Sequence, residues 1–366
     1  MRPDTRLNRL VLAGSQDAAR AMRIEAARIG GALGLPKKGW RNQARHALAR
    51  DWDPSWAHAL CDYARTPSRL YWDWAKLTHV RLEPLAEALA EALSGRPELP
   101  RDLTASVRIV SAERVEAGPL QVRGTVMSVL REVLGARLDP KDPELRVSVR
   151  IEDEALVIGE DLAGSLSHHH LRPRGQQAPL REHLAAQMVA LSGWRPDREA
   201  FVDPMCGSGT LLAEAIGWAR GLPVRRTHRF GLPVQRPLRP KMAPQVWGSE
   251  PDRHRRRATE ETLSRLGGEA TVLSDRLEGL DIPLPEAGVV LTNPPYGERL
   301  EDEDEALRVL EDLRTWFMTL GPGWRLGLIA PRDLVQLIFG RQPKMQKSMP
   351  NGPLMTSFLL YDNLLS

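Results

Sequence analysis

The sequence predicts an α/β protein. A mostly parallel, doubly wound sheet fills its C-terminal half, and a smaller α/β module precedes it. Three observations predict this. Short apolar strands alternate with helices from residue 178 onward. A strand–helix–strand–strand pattern occupies 104–162. The chain has 366 residues, enough for two domains of roughly 100–200 residues each.

Composition narrows the classes. Hydrophobic residues are 42% and charged residues 27%, as in globular proteins. Cys61 and Cys206 cannot form a disulfide framework, so a reducing, cytoplasmic setting is expected. No run reaches about 18 uninterrupted apolar residues, so no membrane span is expected. The first thirty residues hold arginines but no compact apolar core, so no secretory signal is expected. The net charge is +4, and only seven of the 51 basic residues are lysines. Arginine's planar fork suits phosphate and guanine. Arginine-favouring codon usage gives the same bias, so charge alone supports a nucleic-acid partner only weakly.

Residues 1–100 read as a helical, tryptophan-rich region without repeats (Trp40, Trp52, Trp56, Trp72, Trp74). Leucines at 82, 85, 89 and 93 keep helical spacing, and SGRPELP (94–100) reads as a linker. TASVRIV (104–110) then reads as a strand. QVRGTVMSVLREVLG (121–135) reads as a helix stopped at Gly135. ELRVSVRIEDEALVIGEDL (144–162) reads as two strands joined at 152–154. Arg146 and Arg150 alternate with apolar residues there, marking either a solvated outer face or an RNA-facing one.

SHHHLRPRGQQAP (167–179) is a basic connector, and APLREHLAAQMVALSG (178–193) a helix with Leu180, Leu184, Met188 and Leu191 facing a core. The strands that follow are AFVD (200–203), VWGSE (246–250), ATVLS (270–274), GVVLT (288–292), RLGLIA (325–330) and SFLLYD (357–362).

Two blocks carry chemistry. In FVDPMCGSGTLLAEA (201–215) a strand ends at Asp203 and a helix begins near Thr210. The loop between lets backbone approach a ligand closely. It lacks the lysine of a phosphate-binding loop, which fits a ligand lacking phosphates. Asp203 is placed to accept from an ammonium or a ribose hydroxyl. The next strand ends at Glu250, suited to ribose hydroxyls and preferred over Asp252 because it is nearer the strand end. Asp275 takes the same place on the third strand, where it either accepts from an adenine amine or caps a turn.

The second block is LTNPPYGERL (291–300). Its two prolines stiffen the backbone. That stiffness can aim the Asn293 side-chain carbonyl and the Pro294 backbone carbonyl at one point, which fits an exocyclic amine attacking a methyl sulfonium. Tyr296 offers a face for stacking a base.

D-P-x-C-G-S-G-T followed by N-P-P-Y resembles the amino-group methyltransferases of nucleic-acid bases. With APLREHLAA, the longer blocks resemble one branch of them: the THUMP-domain RNA guanine-N2 methyltransferases, in particular those acting on large-subunit ribosomal RNA. The resemblance spans roughly 100–366. It implies a Rossmann-like class I methyltransferase domain over 172–366 with a seven-stranded mixed sheet. A smaller α/β THUMP-like RNA-binding domain over 101–166 precedes it, with 1–100 unassigned. It implies S-adenosyl-L-methionine as cofactor, with Asp203, Gly207, Gly209 and Glu250 at the family's cofactor positions; Pro204, Cys206, Ser208, Thr210, Asp275 and Asn293 complete the candidate cofactor contacts. It implies Asn293, Pro294, Pro295 and Tyr296 as catalytic residues, and the Ala178–Glu182 segment packed beside the cofactor. The expected product is N2-methylguanosine in 23S ribosomal RNA, with transfer RNA second. A DNA adenine or cytosine amino-methyltransferase and a non-catalytic RNA-binding assembly factor are the rival readings. The first hundred residues depart from the family's usual opening, and SHHHLRPRG is poorer in arginine than in relatives.

Other features point less far. His168, His169 and His170, with His183 nearby, lack the spacing of a metal site, and no metal is expected. Cys206 as a covalent nucleophile conflicts with the N-P-P-Y block. Between 220 and 257, eleven Arg/Lys face only Glu250 and Asp252; the segment either grips RNA phosphate or is a solvated loop. The acidic run Glu301–Glu305 reads as a helix start.

Overall fold

The computed structural model describes the chain apart from residues 1–5, 16, 38, 44–46, 78–81, 95, 97–98, 100, 111–117, 153–154, 168–179, 225–235, 268–269, 281, 296–299, 352–354 and 363–366. Two sheets organise it.

The first sheet is built from β1 (Arg6–Ala13), β2 (Arg41–Gln43), β3 (Ala47–Asp51), β4 (Arg69–Leu77), β5 (Thr104–Val110), β6 (Arg137–Leu138), β7 (Leu145–Glu152) and β8 (Ala155–Asp161). Its spatial order is β2-β3-β1-β4-β8-β7-β5-β6. Four helices supply its core: α1 (Ala19–Leu33), α2 (Pro54–Tyr63), α3 (Leu82–Ser94) and α4 (Pro119–Leu134). Met22, Leu60, Leu89 and Leu130 from these helices share one apolar cluster with Leu10, Trp72, Val147 and Ile158 from the strands. Gly135 ends α4 in the left-handed conformation expected of a glycine stop.

This sheet corrects the reading of residues 1–100. They are not a separate helical region, because β4 pairs with β8 from Tyr71↔Asp161 to Leu77↔Leu156. The boundary expected at 100 therefore falls inside one unit. The strand signal was present: in Leu70-Tyr71-Trp72-Asp73 alternate residues point to opposite faces, and aromatic residues favour strands. A register shift between Asp73 and Ala75 breaks the alternation. Of the expected linker, Ser94, Arg96 and Leu99 are described. Arg96 is buried and donates to the Ala92 carbonyl (2.8 Å), to Asn8 Oδ1 (2.8 Å) and to the Leu7 carbonyl.

At Arg150 the outer face of β7 is likewise not a free basic surface. Arg150 is buried, lies 3.9 Å over the Tyr71 ring, and pairs with Asp73 (2.7 Å) and Glu152 (2.9 Å). A buried guanidinium needs such partners to offset its desolvation.

The second unit alternates strands and helices: α5 (Glu182–Ser192), β9 (Ala200–Asp203), α6 (Thr210–Arg220), β10 (Val246–Ser249), α7 (Arg253–Arg265), β11 (Thr271–Leu273), β12 (Ala287–Thr292), α8 (Leu300–Met318), β13 (Gly323–Ala330), α9 (Arg332–Phe339), β14 (Met345–Ser348) and β15 (Ser357–Tyr361). The sheet order is β11-β10-β9-β12-β13-β15-β14. β9 to β13 are parallel, while β15 runs antiparallel to both β13 and β14. This is the expected seven-stranded mixed sheet. Strand β14 (MQKS) was not anticipated, since an edge strand of that composition carries no apolar alternation. Strand order reverses between β9 and β12, and a crevice at the carboxyl ends of strands on either side of such a reversal is where open α/β sheets bind ligands.

The units are joined by buried polar contacts. Arg65 pairs with Glu214 of α6 at 3.0 Å, and Gln187 of α5 donates to the Thr66 carbonyl at 2.7 Å.

Candidate active site

A cavity of 590 Å³ opens at the carboxyl ends of β9, β10 and β12. Three strand ends build its polar wall. Asp203 ends β9, Glu250 follows β10 and Asn293 follows β12. The loop from β9 to α6 adds Met205, Cys206, Gly207, Ser208 and Thr210.

The loop's conformation depends on its glycines. Gly207 has φ +54° and Gly209 φ +75°, left-handed values that side-chain-bearing residues rarely adopt. The Gly209 N–H donates to the Cys206 carbonyl at 2.8 Å, and the Cys206 N–H donates to the Ser249 carbonyl at 2.9 Å. These bonds tie the loop to the end of β10.

Asp203 is buried, and burial pushes its carboxyl up to about 7. Hydrogen bonds from Thr292 and from the Met205 N–H act against that shift, and the Glu250 charge adds to it. A carboxyl held this high ionises readily once a cation arrives. Glu250 is also buried; its Oε1 accepts from the Asp252 N–H at 2.9 Å. Asp252 does not line the cavity. It caps α7, accepting from the His254 and Arg255 N–H groups at 2.9 and 2.8 Å.

The remaining predicted residues divide. Asn293 is half-buried in the cavity wall and Pro295 lines it, while Pro294 is buried outside the lining. Pro204 and Gly209 are buried beneath the loop. Asp275 is exposed and outside the cavity; its carbonyl accepts from Ser249 Oγ at 2.6 Å, which places it as a strand-end turn residue. Tyr296 lies outside the described residues, as do His168, His169, His170 and the Ala178 end of the α5 approach. Leu180, from the same approach, lines the cavity. Burial raises the Cys206 thiol well above its ordinary value, so it stays protonated, unlike a nucleophilic thiolate. Among the described residues no group of three or more His, Cys, Asp or Glu is placed to hold a metal. No helix there is long and apolar enough to cross a membrane.

Sequence reasoning missed Pro251, His254 and Arg255 in the cavity wall, and Thr259 behind it. The Thr259 hydroxyl donates to the Gly207 carbonyl at 2.8 Å. The first three follow Glu250 directly, and their nearness to that strand end was the usable signal. Thr259 gave none.

Comparison with known proteins agrees with this geometry. The family described as RMKL-like, methyltransferase domain (UPF0020) matches residues 169–357, more than half of the chain, and the chain belongs to that family. A ribosomal RNA large subunit methyltransferase K/L from Marinobacter nauticus is 34% identical over 260 residues, covering 61% of this chain and 35% of the relative. The chain spans about a third of the length of the curated relatives it matches. Among solved structures, a Listeria monocytogenes protein described as a predicted N6-adenine-specific DNA methylase superposes with TM-score 0.78 at 20% identity, over 97% of this chain and 96% of its own. SMU.472, solved complexed with SAH, gives TM-score 0.74 at 19% identity over 99% of both chains. At these identities the structures establish a shared fold, and it includes both units.

The methyl donor of such a domain is S-adenosylmethionine, and the cavity fits it. Two buried carboxylates stand ready for an ammonium and a ribose, and the 203–210 loop carries no lysine or arginine that a phosphate would need.

Proposed function

We propose that this chain is an S-adenosylmethionine-dependent RNA methyltransferase that forms N2-methylguanosine, in 23S ribosomal RNA first and transfer RNA second. One observation carries the reading: Asn293 and Pro295 share a cavity wall with Asp203 and Glu250. An amine acceptor thus sits beside a donor pocket.

The donor supplies an electrophilic methyl group on a sulfonium. Asp203 holds the ammonium and Glu250 the ribose hydroxyls. The Asn293 side-chain carbonyl and the Pro294 backbone carbonyl accept from the guanine amine and orient its lone pair at the methyl. Both would stabilise the positive charge that grows on nitrogen as the N–C bond forms and the S–C bond breaks, so no strong base is required before attack. S-adenosylhomocysteine leaves and the acidified amine proton passes to solvent. Tyr296 stacks the flipped-out base. The first sheet acts as a THUMP-like RNA-binding unit. Its extent is the whole of β1 to β8 rather than 101–166 alone. The enzyme works in the cytoplasm, with both buried cysteines free.

The test incubates purified protein with methyl-labelled S-adenosylmethionine and separate pools of unmodified ribosomal and transfer RNA, followed by nucleoside analysis. Label in N2-methylguanosine from the ribosomal pool, absent with Asn293→Ala, is expected. A parallel incubation with unmethylated DNA is the control, and label confined to its adenine or cytosine overturns the reading.

A further inference from the structure

Three arginines meet where the two units join. Arg28 of α1 lies over Trp218 of α6, its Cζ 4.5 Å from the ring centroid, and its Nη2 donates to the Ala219 carbonyl at 3.1 Å. Arg220 ends α6, and its Nη1 donates to the Gly267 carbonyl at 2.7 Å. Arg239 is placed beside it by its own backbone, whose N–H donates to the Arg220 carbonyl at 2.8 Å. The segment carrying Arg239 spans the seam. Leu238 packs against the first unit's core, and the Tyr63 hydroxyl donates to the Arg236 carbonyl at 2.9 Å.

Among the described residues, none of the three arginines forms an ion pair with a carboxylate. Two buried carboxylates near the seam, Glu25 and Glu214, are already engaged. Glu25 accepts from the Arg65 N–H and from the N–H and hydroxyl of Thr66, while Glu214 pairs with Arg65. The Arg28 guanidinium is pushed down to about 10, by burial first and then by the Arg239 charge, with Glu25 acting against both. The Arg28 and Arg239 charges thus oppose one another in the folded chain, and an arriving anion relieves that cost.

We infer that Arg28, Arg220 and Arg239 form a docking surface for the phosphate backbone of the substrate RNA. This inference rests on the RNA reading above. Guanidinium groups fixed by stacking and by carbonyl contacts lose little freedom when they grip a phosphate, and their forks match its geometry. The patch is not part of the donor cavity. Helix α6 begins at Thr210 in the cavity wall and ends at Arg220, so about 15 Å of helix separates the two. A target base in the cavity and a backbone segment on the seam are then held by one rigid element. Because the patch takes residues from both units, RNA bound there would span their junction.

The test measures affinity for an unmodified large-subunit ribosomal RNA transcript across a salt series. The variants are Arg239→Glu, on an exposed side chain, and Arg28→Met, which keeps an apolar stem over Trp218. Each should weaken binding about tenfold and lower the slope of log affinity against log salt by about 1. S-adenosylhomocysteine binding and melting temperature should stay at wild-type values. Wild-type affinity and slope in both variants overturn the patch and leave the proposed function standing. Weakening that appears only together with a lowered melting temperature also overturns it. A wild-type chain that binds no RNA overturns both readings.

Discussion

Thr259 and Gly207 are joined by a hydrogen bond of 2.8 Å from the α7 hydroxyl to the donor-loop carbonyl. The same side chain fills the space over the second loop glycine. A Cβ added at Gly209 would stand 2.6 Å from Thr259 Cγ2. One fully buried threonine thus fixes both left-handed turns of the loop, through its hydroxyl at one and its methyl at the other. Two variants separate these roles. Thr259→Val keeps the shape and loses the bond, and should weaken S-adenosylhomocysteine binding about three- to tenfold with little change in melting temperature. Thr259→Ser keeps the bond and should bind nearly as the parent does. Isothermal titration reads both; weakening in Thr259→Ser alone would mean that packing, not the bond, matters.

Asp203 makes donor affinity depend on pH. Its carboxyl is raised to about 7 by burial, so near pH 6 most of it is protonated and cannot pair with an ammonium. Affinity for S-adenosylhomocysteine should therefore rise from pH 6 to pH 8 and then level off, and Asp203→Asn should be weak and flat across that range. The same shift bears on stability. A carboxyl raised in the folded state favours folding below its unfolded value near 4, and that contribution is lost as pH rises through about 7. Asp203→Asn should flatten this part of the stability profile, measured by urea unfolding of the donor-free chain.

The strand–loop–helix carrying Asp203 was legible because its signals are local: an apolar strand, glycines where φ must be positive, then helix formers. Glu250 was legible for a similar reason, since nearness to a strand end is a sequence property. Thr259 was not, because its partner is 52 residues away and a threonine inside a basic helix gives no sign of burial. Buried charges misled in the same way. Arg65, Arg96 and Arg150 are near-fully buried, yet in sequence they look like surface arginines. The first sheet was legible only from 104 onward. Upstream of it, tryptophans and a register shift hide the period-two pattern of β4, and its partner β8 lies about eighty to ninety residues downstream.

Asn293 should separate chemistry from donor binding. Its side chain stands in the cavity wall next to the donor pocket. Asn293→Ala should lower kcat for methyl transfer by about a hundredfold or more, the usual cost of removing one preorganised polar group at a reacting centre. S-adenosylhomocysteine affinity should change by less than about threefold if, as proposed, Asp203 and Glu250 make the ammonium and ribose contacts. Single-turnover transfer to RNA, set beside titration with S-adenosylhomocysteine, gives both numbers. Loss of donor binding in step with loss of transfer would assign Asn293 to the donor instead.

The pair Arg65–Glu214 should be the seam's most sensitive point. Its atoms are 3.0 Å apart and its side chains are 2% and 0% exposed. The second guanidinium nitrogen of Arg65 donates to the Leu222 carbonyl at 3.0 Å. Space for the group comes from Gly217, where an added Cβ would stand 2.4 Å from Arg65 Cζ. Removing one partner leaves the other charge buried without its counter-ion, so Arg65→Met or Glu214→Gln should cost about 3–5 kcal/mol in urea unfolding. The double variant Arg65→Met with Glu214→Leu leaves no charge behind and should recover much of that loss, since apolar replacements of buried pairs are often neutral. Additive losses in the double variant would mean that each side chain acts through packing, and the pair would then not be what fastens the first unit to the second.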